Sequence, residues 1–165
     1  MPALEICCSD FLKDNPHVYA HKARRKKIAL IKLDLANEGD AAVEVDLGAA
    51  HLIAGGNSHA AEAPETLIKK FREFTWDFIL FAIFDFHPLL VMIDLFFLVT
   101  GPLYNRRLRR QLRQLTNESI TLKAGEKKSV VLGFLNMMQA PESVKLRQQD
   151  DGGDWATSTH TVPAA

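Results

Sequence analysis

The feature that most constrains the fold of this chain is a phenylalanine-rich segment with basic residues on both sides. Of the ten phenylalanines in the chain, eight lie between residues 71 and 97. The basic clusters at its two ends are Lys69, Lys70 and Arg72, and then Arg106, Arg107, Arg109, Arg110 and Arg113. Basic residues beside an apolar segment each gain about 1 kcal/mol from anionic lipid headgroups. This arrangement therefore predicts contact with a membrane surface.

Composition narrows the class of protein further. The 165 residues carry 20 basic and 20 acidic side chains, so the chain as a whole has no net charge. Nucleic-acid binding is not expected, because the basic run over 22–27 lacks the interleaved aromatic side chains that stack on bases. The two cysteines, Cys7 and Cys8, are adjacent and cannot build a disulfide framework.

The N-terminal residues show no secretory signal. The sequence MPALEICCSDF has no basic start and lacks the apolar run of ~7–15 residues that a signal peptide needs. Cys7 stands where a lipoprotein cleavage box has its cysteine, but Glu5 and Ile6 occupy the positions of small residues. Lipidation of Cys7 in a longer precursor stays open as an alternative.

The stretches that flank the phenylalanine-rich segment alternate apolar and polar residues with a period of two, as strands with one buried face do. The predicted strands cover residues 17–21, 29–35, 43–47, 49–54, 119–123, 129–135 and 143–146. Turn residues such as Asn37-Glu38-Gly39-Asp40 separate them. The sequence therefore predicts a mainly β protein, a seven-stranded immunoglobulin-like antiparallel β-sandwich with an α-helical insertion.

The middle of the chain changes to a period of 3.6, which predicts helices. A first helix begins near Pro64, and its stripe consists of Leu67, Phe71, Phe74, Phe78 and Phe81. Pro88 interrupts this pattern, opens a second helix and turns the pair into a hairpin. Gly101-Pro102 ends the second helix after residue 100. A third, amphipathic basic helix follows, with its stripe at Tyr104, Leu108, Leu112 and Leu115.

A re-entrant hairpin fits this insertion better than a single membrane span. As one helix, residues 74–103 would be ~45 Å long, against a hydrocarbon core of ~30 Å. Because both ends return to one sandwich, they must lie on the same side of a membrane, which excludes a single crossing. Split at Pro88, the halves measure ~20 and ~24 Å, so we expect a hairpin that enters one leaflet.

Two sets of side chains are predicted to carry this contact. The membrane-contacting residues are Phe74, Phe78, Phe81, Phe84, Leu89, Leu90, Phe96 and Phe97. The headgroup-binding residues are Lys69, Lys70, Arg72, Arg106, Arg107, Arg109, Arg110 and Arg113. Asp77, Asp85 and Asp94 oppose deep insertion, since an Asp at the bilayer centre costs about 2.5–3.5 kcal/mol. Asp85 and His87 are expected to cap the turn at the hairpin tip; the alternative is a proton or metal site completed by Asp94.

Two segments resemble small immunoglobulin-like domains of bacterial envelope proteins. One is the strand–turn–strand frame over 29–47, and the other is LKAGEKKSVVLGF over 122–134. They look like the B–C and later strand pairs of such domains and cover about half of the chain. The resemblance implies a binding or scaffolding module without catalytic residues. The helical insertion departs from the usual pattern of these domains.

The predicted organisation is a β-sandwich from residues 16–56 and 117–148, interrupted by an insertion over 63–115. An arm over 1–15 and a flexible tail over 149–165 complete it. No catalytic, metal or cofactor motif occurs, so neither an enzyme nor a cofactor is expected. The predicted function is a membrane-associated interaction or scaffold module of the bacterial envelope, whose partners are anionic lipid and a protein. The alternatives are an accessory subunit of a larger membrane complex and a soluble homo-oligomer that buries the phenylalanine-rich helices.

Overall fold

The structure, a computed structural model, describes residues 4–15, 23, 25–71, 88–149 and 153–163. The chain divides into two compact units. The first, which we call the β-unit, comprises residues 1–67 and 114–165, and the second, the helical unit, comprises residues 68–113.

The described residues contain eight strands in two antiparallel sheets. In chain order the strands are β1 (Leu4–Asp10), β2 (Ala29–Asn37), β3 (Val43–Ala54), β4 (Asn57–Ala60), β5 (Ile120–Leu122), β6 (Lys127–Phe134), β7 (Ser143–Gln149) and β8 (Trp155–Thr161). One sheet has the order β1-β2-β6, and the other has the order β4-β3-β7-β8 with β5 also paired to β3. The helices are α1 (Phe11–Asp14), α2 (Pro64–Phe71) and α3 (Pro88–Gln111). The prediction of a mainly β protein with antiparallel sheets and helices is confirmed.

The two sheets share one hydrophobic core, which the predicted alternation builds. On β2 the apolar residues at positions 31, 33 and 35 are buried, whereas Lys32 and Asp34 between them are partly exposed. On β3 the apolar residues at positions 43, 45 and 47 are buried in the same way. Because successive side chains of a strand point to opposite faces, each strand contributes every second residue to the core.

A second apolar contact lies on the opposite face of the β1-β2-β6 sheet. Leu30 and Val131 are buried although they alternate with core residues. Leu67 packs there so closely that a Cβ added to Gly133 would lie 2.2 Å from Leu67 Cδ1. Leu115 is also buried, and it forms a parallel bridge with Val131. Gly133 is therefore required by the close approach of the leucine side chain.

Asn37 ties two turns of the β-unit together. It is the last residue of β2 and is only 1% exposed. Its Nδ2 donates to the carbonyl oxygens of Ala41 at 2.7 Å, Leu122 at 3.1 Å and Lys123 at 3.1 Å. Its Oδ1 accepts from the N–H of Gly39 at 3.0 Å. The predicted turn that begins at Asn37 is therefore also bound, through this side chain, to the C-terminal end of β5.

The two ends of the chain differ from the prediction. Residues 4–10 form β1 within the first sheet instead of an arm. Residues 155–161 form β8 instead of belonging to a flexible tail, and β8 is paired with β7 along its whole length. The segment WATSTHT has no apolar alternation, so the periodicity of the sequence does not predict this strand. The strand predicted over 17–21 lies outside the described residues.

The strands predicted over 43–47 and 49–54 are one strand, β3, with an irregularity in its middle. The register with β7 shifts between Asp46 and His51. Asp46 Oδ1 accepts from the N–H groups of Gly48 at 3.0 Å and Ala49 at 3.2 Å. The carboxylate thereby binds backbone donors at a point where the ladder is disrupted.

Helix α3 begins at Pro88 as expected but is longer than predicted. It continues through Pro102 to Gln111, so the predicted end after residue 100 and the separate third helix are wrong. Proline inside a helix removes one backbone hydrogen bond and costs about 3 kcal/mol. Thr100 Oγ1 donates to the carbonyl oxygen of Phe96 at 2.8 Å, a bond of the kind that accompanies helix bending. Tertiary packing, seen in the full burial of Leu108, outweighs the proline penalty.

Candidate interaction surface on helix α3

Helix α3 presents a row of exposed apolar side chains. Met92, Phe96, Val99 and Leu103 are each between 60% and 69% exposed. Their spacing of four, three and four places them on one face of the helix, over ~16 Å of its length. We call this row the apolar stripe. Single exposed apolar residues are ordinary on protein surfaces, whereas a contiguous row marks a site of interaction.

The same face becomes basic near the C-terminal end of the helix. Arg106, Arg107 and Arg110 follow Leu103 by three, four and seven positions, so they continue the line of the apolar stripe. All three are exposed, and we call them the arginine patch. Arg110 lies in the last turn of α3, where its charge also interacts favourably with the negative end of the helix dipole.

Two positions on the opposite side of α3, near its C-terminal end, are buried. They are Gly101 and Leu108, which are seven positions apart and so lie on one face. Leu112, which donates its N–H to the carbonyl oxygen of Leu108 at 2.9 Å, is buried as well. Leu108 and Leu112 belong to the stripe that was predicted to lie at the interface. They are therefore packed inside the fold, and the lipid-facing role predicted for that stripe is corrected.

The predicted membrane-contacting residues fall into three groups. Phe96 lies on the apolar stripe. Leu89, Leu90 and Phe97 belong to α3, but their side chains are outside the described part of the structure. Outside the described residues altogether are Phe74, Phe78, Phe81 and Phe84.

Sequence reasoning omits three of the four residues of the apolar stripe. Met92, Val99 and Leu103 are missed because that reasoning favours aromatic residues and ends the helix after residue 100. The signal that could have found them is the alternating four-and-three spacing from 92 to 103, which the first predicted helix also shows.

Most of the predicted headgroup-binding residues are on the surface. Lys69 and Lys70 are exposed on α2, and the five arginines between 106 and 113 are exposed too. Arg72 lies outside the described residues, as do Asp77, Asp85 and His87. Asp94 belongs to α3, but its side chain is outside the described part of the structure.

Two further observations concern what the described part of the chain can do. None of its helices combines the length and the apolar character needed to cross a membrane. Within the same residues, no three His, Cys, Asp or Glu side chains are grouped so as to hold a metal ion.

No protein-family model matches this sequence, and no curated protein matches it.

Proposed function

We propose that this chain is a non-enzymatic, membrane-associated interaction module of the bacterial cell envelope. In this proposal the apolar stripe enters one leaflet of an anionic membrane, and the arginine patch binds the lipid headgroups. The β-unit then stands at the membrane surface and presents its own faces to a protein partner. The observation that carries the proposal is the continuous change from apolar to basic along one exposed face of α3.

The dimensions of the helix face support insertion into one leaflet. The apolar stripe extends ~16 Å along the helix, and half of a ~30 Å hydrocarbon core is ~15 Å. The arginine patch begins ~5 Å beyond Leu103 and ends ~10 Å beyond it. A helix that enters the leaflet obliquely by its N-terminal end therefore brings its arginines to headgroup depth without burying them.

The energetics favour the stripe as the main anchor. Full burial of a large apolar side chain contributes about 1.5–3 kcal/mol. Since Met92, Phe96, Val99 and Leu103 are roughly two-thirds exposed, burying the rest of each contributes about 1–2 kcal/mol. The three arginines of the patch add about 1 kcal/mol each. Asp94 lies in the same helix segment and offsets about 2.5–3.5 kcal/mol of this at the bilayer centre, so the net is of the order of what a single myristoyl chain gives, an association constant of about 10⁴ M⁻¹.

The strand order supports an immunoglobulin-like assignment of the β-unit. In such domains one sheet contains strands A, B and E, and the other contains C, F and G with C′ added in variable-type members. Both sheet orders agree with this arrangement. The order β1-β2-β6 corresponds to A-B-E, and the order β4-β3-β7-β8 corresponds to C′-C-F-G. The helical unit then takes the place of the connection after C′. Pairing of β5 with β3 departs from the usual arrangement.

Vesicle flotation tests the membrane contact. The full chain is mixed with vesicles of phosphatidylcholine alone or with phosphatidylglycerol added, and the bound fraction is measured. The double variant Arg106→Gln and Arg110→Gln should lose about 2 kcal/mol of binding free energy, which corresponds to a roughly 30-fold loss of affinity for the anionic vesicles. The matched control, Lys127→Gln combined with Lys128→Gln, removes two exposed charges from β6 and should leave binding unchanged.

The apolar contribution is tested in the same assay. Phe96→Ser combined with Leu103→Ser should weaken binding to both vesicle types, because it removes apolar area independently of lipid charge. Met138→Ser is the control, since Met138 is 78% exposed and belongs to the β-unit. Equal binding by wild type and both double variants would refute the proposal.

A helical protein partner is the second candidate occupant of the stripe. Its four-and-three spacing is also that of a coiled-coil seam, in which every such residue packs against a partner helix. This favours either a subunit of a larger membrane complex or a homo-oligomer joined through α3. A photo-crosslinking residue at position 96 separates the candidates: adducts with lipid support the membrane contact, and adducts with one defined protein support the helical partner.

A further inference from the structure

We propose that β8 pairs antiparallel with β8 of a second copy of this chain. The β4-β3-β7-β8 sheet then continues across a two-fold axis at Ser158 into the sheet of the second copy. This interface belongs to the β-unit and is independent of the contact proposed for α3.

The backbone of β8 offers hydrogen-bonding groups at the edge of its sheet. Among the described strands, β8 is paired with β7 alone. The N–H of Val162 donates to the carbonyl oxygen of Glu142 at 2.9 Å, next to the Ser143–Thr161 pair of the register. Residues that bond to a given neighbour alternate along an antiparallel strand, so positions 160, 158 and 156 also bond to β7. The N–H and C=O groups at the odd positions from 155 to 161 therefore point away from β7.

Among the described strands none is hydrogen-bonded to the outer edge of β8, and β8 itself lacks the charges and the proline that protect natural edges. Natural edges carry charges, proline or a covering segment, or they are very short. At the other described edges, β1 contains Glu5 and Asp10, and β4 has four residues. Strand β6 starts with two lysines, and its edge is partly covered by the segment over 114–116, which exchanges backbone hydrogen bonds with Val131. In contrast, β8 presents seven residues with neither a formal charge nor a proline.

The sequence of β8 is suited to pairing with itself. A two-fold axis at Ser158 pairs all seven residues, placing Thr157 opposite Thr159 and Trp155 opposite Thr161. Cross-strand threonine pairs each contribute roughly 0.2–1 kcal/mol, and no like charges face each other. The nearest cations, Lys145 and Arg147 on β7, would be three strand spacings from their equivalents, or ~14 Å. That distance exceeds the Debye length of about 8 Å at physiological ionic strength.

Trp155 marks the end of the pairing region. Trp155 is 39% exposed, and its ring lies under the guanidinium of Arg147, whose Cζ is 4.9 Å from the ring centre. This cation–π contact holds the aromatic side chain at the start of the strand. In the paired arrangement the ring of each copy would stand beside Thr161 of the other and cover the end of the joined strands.

Disulfide trapping tests the axis directly. The full chain is used with Cys7→Ser as background, because Cys7 is exposed while Cys8 is buried. Ser158→Cys places two thiols on a non-hydrogen-bonded pair, where Cα atoms are ~4.5 Å apart and within the ~4.4–6.8 Å range of disulfides. Mild oxidation should convert most of this variant to a covalent dimer. The matched control is Ser58→Cys on β4, an exposed serine at the other edge of the same sheet, which should form no covalent dimer.

A proline variant tests the edge without disturbing the fold. Thr159→Pro removes an N–H that points away from β7, whereas Ser158→Pro removes one that bonds to β7 and should unfold the strand. By sedimentation in density-matched detergent, wild type should have twice the 18.5 kDa chain mass and Thr159→Pro should have the single mass. Thr159→Pro should keep the circular dichroism spectrum of wild type. Three results would each overturn the proposal. They are a monomeric wild type, a Thr159→Pro variant that keeps this spectrum and is still a dimer, and a Ser158→Cys variant that is cross-linked no more than Ser58→Cys.

Discussion

Replacing Asn37 with alanine should lower the free energy of unfolding by about 2–4 kcal/mol. The side-chain amide makes bonds of 2.7 to 3.1 Å to three carbonyl oxygens and one of 3.0 Å from a backbone N–H. A net contribution near 1 kcal/mol for each of two or three bonds accounts for the lower part of the range. The carbonyl of Leu122 is in a buried bond and would lose this partner; a desolvation penalty of about 1 kcal/mol, the low end of the usual values, gives the upper limit of the range.

Asn37→Asp tests the direction of these bonds. The aspartate keeps the shape of the amide but turns its donor into an acceptor, so at neutral pH a carboxylate faces the carbonyl oxygens. We expect this variant to be less stable than Asn37→Ala at pH 7. Burial beside carbonyl oxygens raises the carboxyl pKa in the folded state. Its destabilisation should therefore be present above that raised pKa and should lessen as the pH falls towards the ordinary value of about 3.9.

Urea unfolding followed by far-ultraviolet circular dichroism provides the measurement. The midpoint should shift to lower urea at unchanged slope, which indicates a change of stability without a change of the exposed surface. The control is Asn57→Ala, which removes an exposed amide from β4. If Asn37→Ala costs no more than this control, Asn37 does not tie the two turns together.

Three further predictions concern the β-unit. Gly133→Ala should lower the free energy of unfolding by roughly 1–3 kcal/mol, because the added Cβ would lie 2.2 Å from Leu67 Cδ1. This loss should be smaller in a chain that already carries Leu67→Ala, and an equal loss in both backgrounds would refute the contact. Burial lowers the pKa of His160 below its ordinary value of 6.5, so the folded state should lose stability as the pH drops from 6.5 towards this lowered pKa. His160→Gln should flatten the plot of melting temperature against pH over the same interval. Burial, reinforced by Cys7, raises the pKa of Cys8 to about 11. Iodoacetamide should therefore modify Cys7 in the native chain and reach Cys8 only after unfolding; equal rates would contradict this.

Predicting the strands depended on how each strand distributes its apolar residues. The segments around 29–35 and 43–47 were predictable because their buried and exposed residues alternate, which is a local property of the sequence. The burial of Leu30 was not predictable in this way, since it lies on the face opposite the core. Leu67 and Gly133, 66 positions apart, meet beside it only in the folded chain.

The candidate site was predictable in part for the same reason. The exposure of the arginines between 106 and 113 follows from their charge, whereas the exposure of Phe96 depends on which helix face the fold buries. The continuation of α3 through Pro102 was not predictable from propensity. Local rules end a helix at Gly-Pro, whereas the burial of Gly101 and Leu108 stabilises the helix across that point.

By itself, the sequence determined the alternating strands around 29–35, 43–47 and 143–146, the start of the helices at Pro64 and Pro88, and the basic character around the apolar segment. Those features depend on side-chain periodicity and on the covalent geometry of proline, which act within a few residues. Only the tertiary structure decided that Leu108 is buried while Met92 and Leu103 are exposed, and that WATSTHT forms an edge strand. Burial and strand pairing depend on which distant segments meet, and a polar strand such as β8 is stabilised by the backbone of its neighbour β7 and not by a pattern of its own.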